Sequence, residues 1–222
     1  MRDNSNITER GTYHQAPILA FDTSSSACSV ALQTHHHIES IHTHAPMQHG
    51  KLILSMIQTL LQKTKLTIAQ LNAVAYGVGP GRFTGVRLAS SVAQSIQLGT
   101  KCRLIAISSL VIYAQTVFIE HPSYTKICVA LDARMGQVYW GQYEVNQQGY
   151  VVLIGQEQTA TPEEIMVAIT IADCGVGDGW EVYKERLISR IGFTPQHLLP
   201  AQLPNAKAIL KLAEINNNHS RL

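Results

Sequence analysis

Apolar and polar positions along this chain change period several times, and the changes mark the elements. Ile18 to Phe21 is a short apolar run closed by Asp22 and a polar turn, Thr23-Ser24-Ser25-Ser26. Cys28 to Leu32 alternates into a second strand, and Ile38 to His42 returns beyond the His35–His37 tip. Residues 47–62, with Pro46 at their N-terminal edge, read as a helix. Projected at about 100° per residue, Lys51, Ser55, Gln58, Thr59 and Gln62 fall in a narrow polar arc. Leu52, Ile53, Leu54, Met56, Ile57, Leu60 and Leu61 spread over roughly 220°, about twice the stripe that a helix lying on one sheet needs. Either the rest of the chain wraps this helix or a partner covers the surplus face. Residues 72–76 form a strand, Gly77 to Gly85 a glycine-rich connection, and residues 84–98 a second helix. One face of that helix carries Leu88, Ala89, Val92, Ala93 and Ile96. The other carries Arg87, Ser90, Ser91, Gln94, Ser95 and Gln97, small side chains with a single charge, which suit either solvent or the close approach of another helix.

Arg103 to Ile107 is a strand, and Ser108 is the N-cap of a helix reaching about Phe118. After His121-Pro122 the pattern starts again. Ile127 to Leu131 is a strand ending in Asp132-Ala133-Arg134, and Gln137 to Val145 alternates and turns at Asn146 to Gly149 into Val151 to Ile154. Thr161-Pro162-Glu163-Glu164 has the composition of a helix start. Ala172 to Val176 is a strand running into the turn Gly177-Asp178-Gly179, and a last helix spans about Asn205 to Ile215. Strand, Asp-containing turn, hairpin and helix therefore occur twice, with negligible identity between the halves; the repeat is one of pattern. It predicts an α/β chain of two lobes, each a mixed sheet with flanking helices. The first lobe would take residues 17–107 plus 205–222 and the second 108–204, after a flexible arm at 1–16.

Composition narrows the function classes. The 222 residues are 45% hydrophobic and only 14% charged, below the roughly 25% usual for soluble domains, so part of the surface is expected to be uncharged or covered by another protein. The net charge of +2 creates no field that would draw in nucleic acid, and no basic stripe is interleaved with aromatics. No stretch approaches the roughly 18–20 apolar residues of a membrane helix, and the polar start is no secretory signal, which together point to the cytoplasm. The four cysteines sit singly in apolar runs, as buried reduced thiols do.

The Gly77–Gly85 segment lies between a strand and a helix N-terminus, where anions bind well. It is neither a Walker A loop nor a clean GxGxxG, so phosphate binding and a purely structural turn both fit. Asp22, Thr23 and Ser24 would stand at the end of a central strand, where α/β folds often hold ligands, or would form a turn held by its own side chains. Asp132 with Arg134, and Gly177-Asp178-Gly179, allow the same two readings. His42, His44 and His49 lack the three- or four-residue spacing of helical metal ligands, so no metal is expected, and no Ser-His-Asp triad can be assembled from sequence order.

Four blocks, ILAFDTSSSACSVAL, HGKLILSMIQTLL, AVAYGVGPGRFTGVRLASSVAQSIQLGT and VALDARMGQVYWGQYE, together with GVGDGW, make the chain resemble the TsaB (YeaZ) family. The resemblance runs from about Ile18 to Glu144, and GVGPGRFTGVR is its most specific part. It implies a duplicated actin/Hsp70-like (ASKHA) fold and a non-catalytic scaffold of tRNA threonylcarbamoyladenosine synthesis. Such a scaffold pairs with and activates a TsaD-like transferase, is joined by a TsaE-like ATPase, and meets tRNA only through the complex. The helical HxxxH by which TsaD-like proteins hold metal is broken here, because Ile53 stands four residues after His49. Relatives dock through the first two helices of the first lobe, which places Leu54, Ile57, Leu61, Arg87, Ser90, Ser91, Gln94 and Ser95 at a partner interface and allows a homodimer when the partner is missing.

The resemblance implies no catalytic residue and no cofactor of its own, although ATP or ADP at the partner boundary could meet Arg82, Arg87 or Arg134. The competing readings are an ATPase or phosphotransferase of the same superfamily and, further off, a glycoprotease-like hydrolase. The ATPase would use Asp22, Gly79 to Gly81 and Asp132 around Mg-nucleotide, while Thr23, Ser24, Arg82, Thr84, Gly85, Arg134, Gly177, Asp178 and Gly179 complete turns that are either nucleotide-binding or structural.

Overall fold

The computed structural model describes residues 17–35 and 37–218; the expected arm at 1–16 and His36 lie outside the described residues. Two mixed sheets carry the chain. In the first, the strands β1 (Ile18–Asp22), β2 (Ala27–Gln33), β3 (Ile38–His44), β4 (Ala73–Gly77) and β5 (Arg103–Ile107) lie in the order β3-β2-β1-β4-β5. The first three pair antiparallel, and β4 and β5 are parallel to β1. The second sheet repeats this plan. Its strands β6 (Lys126–Arg134), β7 (Gln137–Val145) and β8 (Val151–Leu153) form the antiparallel meander, and β10 (Cys174–Val176) and β11 (His197–Leu199) extend it in parallel, in the order β11-β10-β6-β7-β8. A short β9 (Gln158–Ala160) adds to β7. The duplicated pattern in the sequence is thus a duplicated topology.

Helices fill three layers around the sheets. α1 (His49–Thr64) and α2 (Phe83–Thr100) cover the outer face of the first sheet. α3 (Ser109–Glu120) and α6 (Ala206–Asn218) lie between the two sheets, and α4 (Gly179–Val182) and α5 (Lys184–Ile191) cover the outer face of the second. The strand period of two explains why β1 and β2 are buried on both sides. Leu19, Phe21, Cys28, Val30 and Leu32 face α1 and α2, while Ile18, Ala20 and Ala31 face α3 and α6. The middle layer is one continuous core, in which α6 packs on the first sheet, α3 on the second and the two helices on each other, so that Leu110, Ile112, Val117, Ile209 and Leu210 join apolar residues of both sheets. Its helices begin on side chains: Ser108 Oγ accepts the Leu110 amide at 3.2 Å, and Ser29 Oγ accepts the Ala206 amide at 2.8 Å.

Two expectations fail. The segment from Thr161 starts no helix. Glu164 N donates to Thr161 O at 3.0 Å in a single turn, after which Gln158 and Gln142 side chains take the amides of Met166 and Ala168. Backbone donors claimed by β7 and β9 in this way are lost to a helical ladder. The wide apolar arc of α1 is the second. Ile53, Met56, Ile57 and Leu60 are all buried in the chain's own core, and Leu52 and Leu61 are half-buried against it, so the surplus shrinks to Leu54, which is 62% exposed. The arc is wide because β2, β3 and α2 together pack against α1, the first of the two readings that the arc allowed. Helices α4 and α5 and strands β9 and β11 were not visible in the pattern at all.

Candidate functional site

A cavity of about 690 Å³ opens where the C-terminal ends of β1 and β6 face each other across the two lobes. Ser24, Ser25, Ser26, Gly81, Arg82, Tyr113, Asp132, Arg134, Tyr139 and Asp178 line it, together with the loop Pro200 to Leu203. Turns from both halves of the repeat therefore do meet, as a nucleotide-binding reading requires. Their chemistry is largely committed within the chain. Asp132 gives Oδ2 to the Arg134 guanidinium at 2.8 Å, and its Oδ1 accepts from Arg134 N at 2.8 Å and Tyr183 Oη at 3.2 Å. Asp178 Oδ1 accepts the Asp132 amide at 2.9 Å. Ser24 Oγ donates to Asp22, Ser25 Oγ accepts the Ala27 amide, and burial holds the Tyr113 phenol well above its ordinary pKa. Among the described residues no histidine bonds these hydroxyls, and no group of three His, Cys, Asp or Glu side chains is placed to hold a metal ion.

The remaining predicted turn residues lie behind the cavity and shape it. Asp22 is 1% exposed, and burial pushes its carboxyl up to about 6 against the downward pull of its two bonds from Ser24. Its Oδ2 has no hydrogen-bond partner among the described residues and lies where a Cβ on Gly77 would come within 2.0 Å. Thr23 Oγ1 donates to Gly85 O at 2.7 Å, and a Cβ on Gly85 would stand 1.8 Å from Thr23 O, so only glycine lets the α2 N-terminus approach this turn. Gly79 abuts Val86, and Gly177 and Gly179 abut the Ala130 backbone; none of the three lines the cavity. Thr84 and Gly85 instead line a smaller cavity of about 480 Å³ between the starts of α1 and α2, with Arg82, Phe83, Met47, His49 and Leu88.

Of the predicted interface residues, Ile57 is a correction: it is 4% exposed and part of the core under α1, so it presents nothing to a partner. Leu61 and Ser90 are half-buried, and Leu54, Arg87, Ser91, Gln94 and Ser95 are exposed. Arg87 stacks on the ring of Phe83, 3.8 Å from its centroid, and Phe83 is itself 67% exposed. Neither Phe83 nor Leu98, which is 72% exposed, was singled out from the sequence. The helical spacing of Leu98 from Arg87, Ser91 and Ser95 was the signal that could have found it. Arg134, Arg186 and Arg190 each hold a protein acceptor, whereas Arg82 and Arg87 hold none among the described residues.

A doubled, actin-like fold with most of its cleft acids and hydroxyls tied up internally, and with a helical face of small side chains and a single charge left open, is the class of protein these features define. The family described as "TsaD: tRNA N6-adenosine threonylcarbamoyltransferase" matches residues 36–175. The chain is 36% identical over 173 residues to the tRNA threonylcarbamoyladenosine biosynthesis protein TsaB of Escherichia coli strain K12, covering 76% of this chain and 74% of that one. It is 35% identical over 211 residues to the TsaB of Buchnera aphidicola subsp. Schizaphis graminum, covering 92% and 96%. The solved structure of YeaZ from Pseudomonas aeruginosa superimposes with a TM-score of 0.84 at 34% identity over 93% of this chain and 94% of that one. A second Pseudomonas aeruginosa structure, described by its similarity to peptidase YEAZ, gives 0.85 at 36% identity over 92% and 93%. The chain belongs to the TsaB (YeaZ) family.

Proposed function

We propose that this chain is a non-catalytic scaffold in tRNA threonylcarbamoyladenosine synthesis, which docks and activates a TsaD-type transferase through the outer faces of α1 and α2. The observation that carries the reading is the exposed α2 row Arg87, Ser91, Gln94, Ser95 and Leu98 together with exposed Leu54 of α1. Small side chains let a second helix come close, and the two leucines at 62% and 72% exposure are natural anchors for it. The names of the relatives supply the pathway, and the family match supplies the kind of partner. The same face would make a homodimer in the partner's absence, and a TsaE-type ATPase would join the assembled pair. Phosphates of ATP or ADP at the boundary would fall to Arg82 and Arg87, since Arg134 is held by Asp132.

Mixing the purified chain with the TsaD-type transferase of the same cell and measuring mass by light scattering tests this directly. A one-to-one complex is expected, and Leu54→Asp, Leu98→Asp and Ser91→Arg each abolish it at micromolar concentration. Variants that associate as well as wild type would overturn the assignment of this face. An isolated chain that turns over Mg-ATP would overturn the non-catalytic reading.

A further inference from the structure

Among the described residues Asp22 is the one acid that is buried outright, and the proposal above gives it no role. Among the described residues its carboxylate touches no cation: Oδ1 accepts from the Ser24 amide at 3.0 Å and from Ser24 Oγ at 2.9 Å, and Oδ2 finds no hydrogen-bond partner. The ionisable groups facing it are Cys28 of β2 and Tyr113 of α3, both of which its charge disfavours ionising, and Arg82 and Asp178 act on Tyr113 from the cleft. Hydrogen bonds to an ionised acceptor are roughly twice as strong as neutral ones, so the two bonds from Ser24 hold the turn firmly.

That turn in turn holds α2. Ser24 O accepts the Arg82 amide at 2.7 Å, Thr23 Oγ1 donates to Gly85 O at 2.7 Å, and Ser109 ties both sides together through Ser24 Oγ at 3.1 Å and Gly79 O at 2.8 Å. α2 has no side-chain cap and no acid in its first turn, so these bonds fix where it begins. We infer that Asp22 is a positioning residue for the docking face: through Ser24 and Thr23 it sets the start, and with it the rotation, of the helix that presents Arg87, Ser91, Gln94, Ser95 and Leu98. The inference rests on the docking role proposed for that face.

The test uses the full chain with its TsaD-type partner and reads two quantities: partner affinity, and amide exchange in the first turn of α2. Asp22→Ala is expected to weaken association about tenfold and to speed exchange at residues 84–88. Asp22→Asn keeps an acceptor for Ser24, neutral and weaker, and is expected to recover most of both. Leu187→Ala, in the core on the far side of the second sheet, is expected to lower stability without changing affinity. If Asp22→Ala does not fold, Thr23→Val removes the bond to Gly85 while leaving Asp22 in place, and is expected to weaken association severalfold. Affinity within twofold of wild type for the folded variant, or an equal loss in Leu187→Ala, overturns the inference. A wild-type chain that never associates defeats the docking reading instead, and the exchange rates then still decide whether Asp22 governs the start of α2.

Discussion

Replacing Asp22 by Asn should stabilise the protein at neutral pH, and the size of the gain follows from how the carboxyl is buried. In the unfolded chain this group titrates near 3.8, and in the fold burial moves it to about 6. The folded state therefore binds more protons between those values, and stability falls as pH rises from about 4 to about 6. Above that window the ionised carboxylate costs about 3 kcal/mol, from roughly two units at 1.36 kcal/mol each. Asn keeps Oδ1 as the acceptor for Ser24 but turns an amide N–H₂ towards the unpartnered space by Gly77, which takes back about 1–2 kcal/mol. The net gain of about 1–2 kcal/mol corresponds to a melting temperature higher by roughly 2–8 °C for a chain of this size. The assay is thermal unfolding of both proteins from about pH 4 to pH 8. The difference should be largest at pH 8 and should vanish or reverse at pH 4. A difference that does not change with pH, or a variant less stable at pH 8, would refute the argument.

Four further outcomes are expected. Gly85→Ala drives a methyl group into the Thr23 carbonyl and should cost at least about 3 kcal/mol, seen as a large drop in the urea midpoint or as insoluble protein. Leu98→Asp should leave the unfolding midpoint within about 0.5 kcal/mol of wild type while removing partner association, because the side chain is already in water. Arg134→Ala should change stability by less than about 1 kcal/mol, because the guanidinium is 78% exposed and its pairing with Asp132 is screened. All four cysteines are free and buried, and burial holds Cys28 near 11 and Cys128 and Cys174 near 12, so a thiol reagent should label them only as the protein unfolds.

The regular parts of the fold were legible because burial follows period. β5 and β7 fall where alternation puts them, and Ser108 caps α3 as its hydroxyl predicts. Residues 154–199 of the second lobe were harder to read. β10 falls within the apolar run Ala172 to Val176, but β9 and β11 are three residues each, too short for a period to register, and the Thr161 helix start was overruled by side chains distant in sequence. At the site, the acids and glycines were found, but their destinations were not. Nothing local says that Asp132 is bound by Arg134 or that Asp22 points into protein, because those outcomes depend on strands that meet only in the fold. The α1 surface was over-predicted for the same reason, since a helical projection cannot show how far a twisted sheet reaches round a helix.

The layer of α3 and α6 shared by both sheets has a mechanical consequence. Ser108 Oγ and Tyr143 Oη both donate to Glu157, at 2.8 and 2.5 Å, and so rivet the linker between the halves to the far sheet. Prising the halves apart would wet Leu110, Ile112, Val117 and Ile209 together. The molecule should therefore behave as a solid wedge rather than a jaw, and whatever seats against it meets a shape already settled before the encounter, at little cost in lost motion.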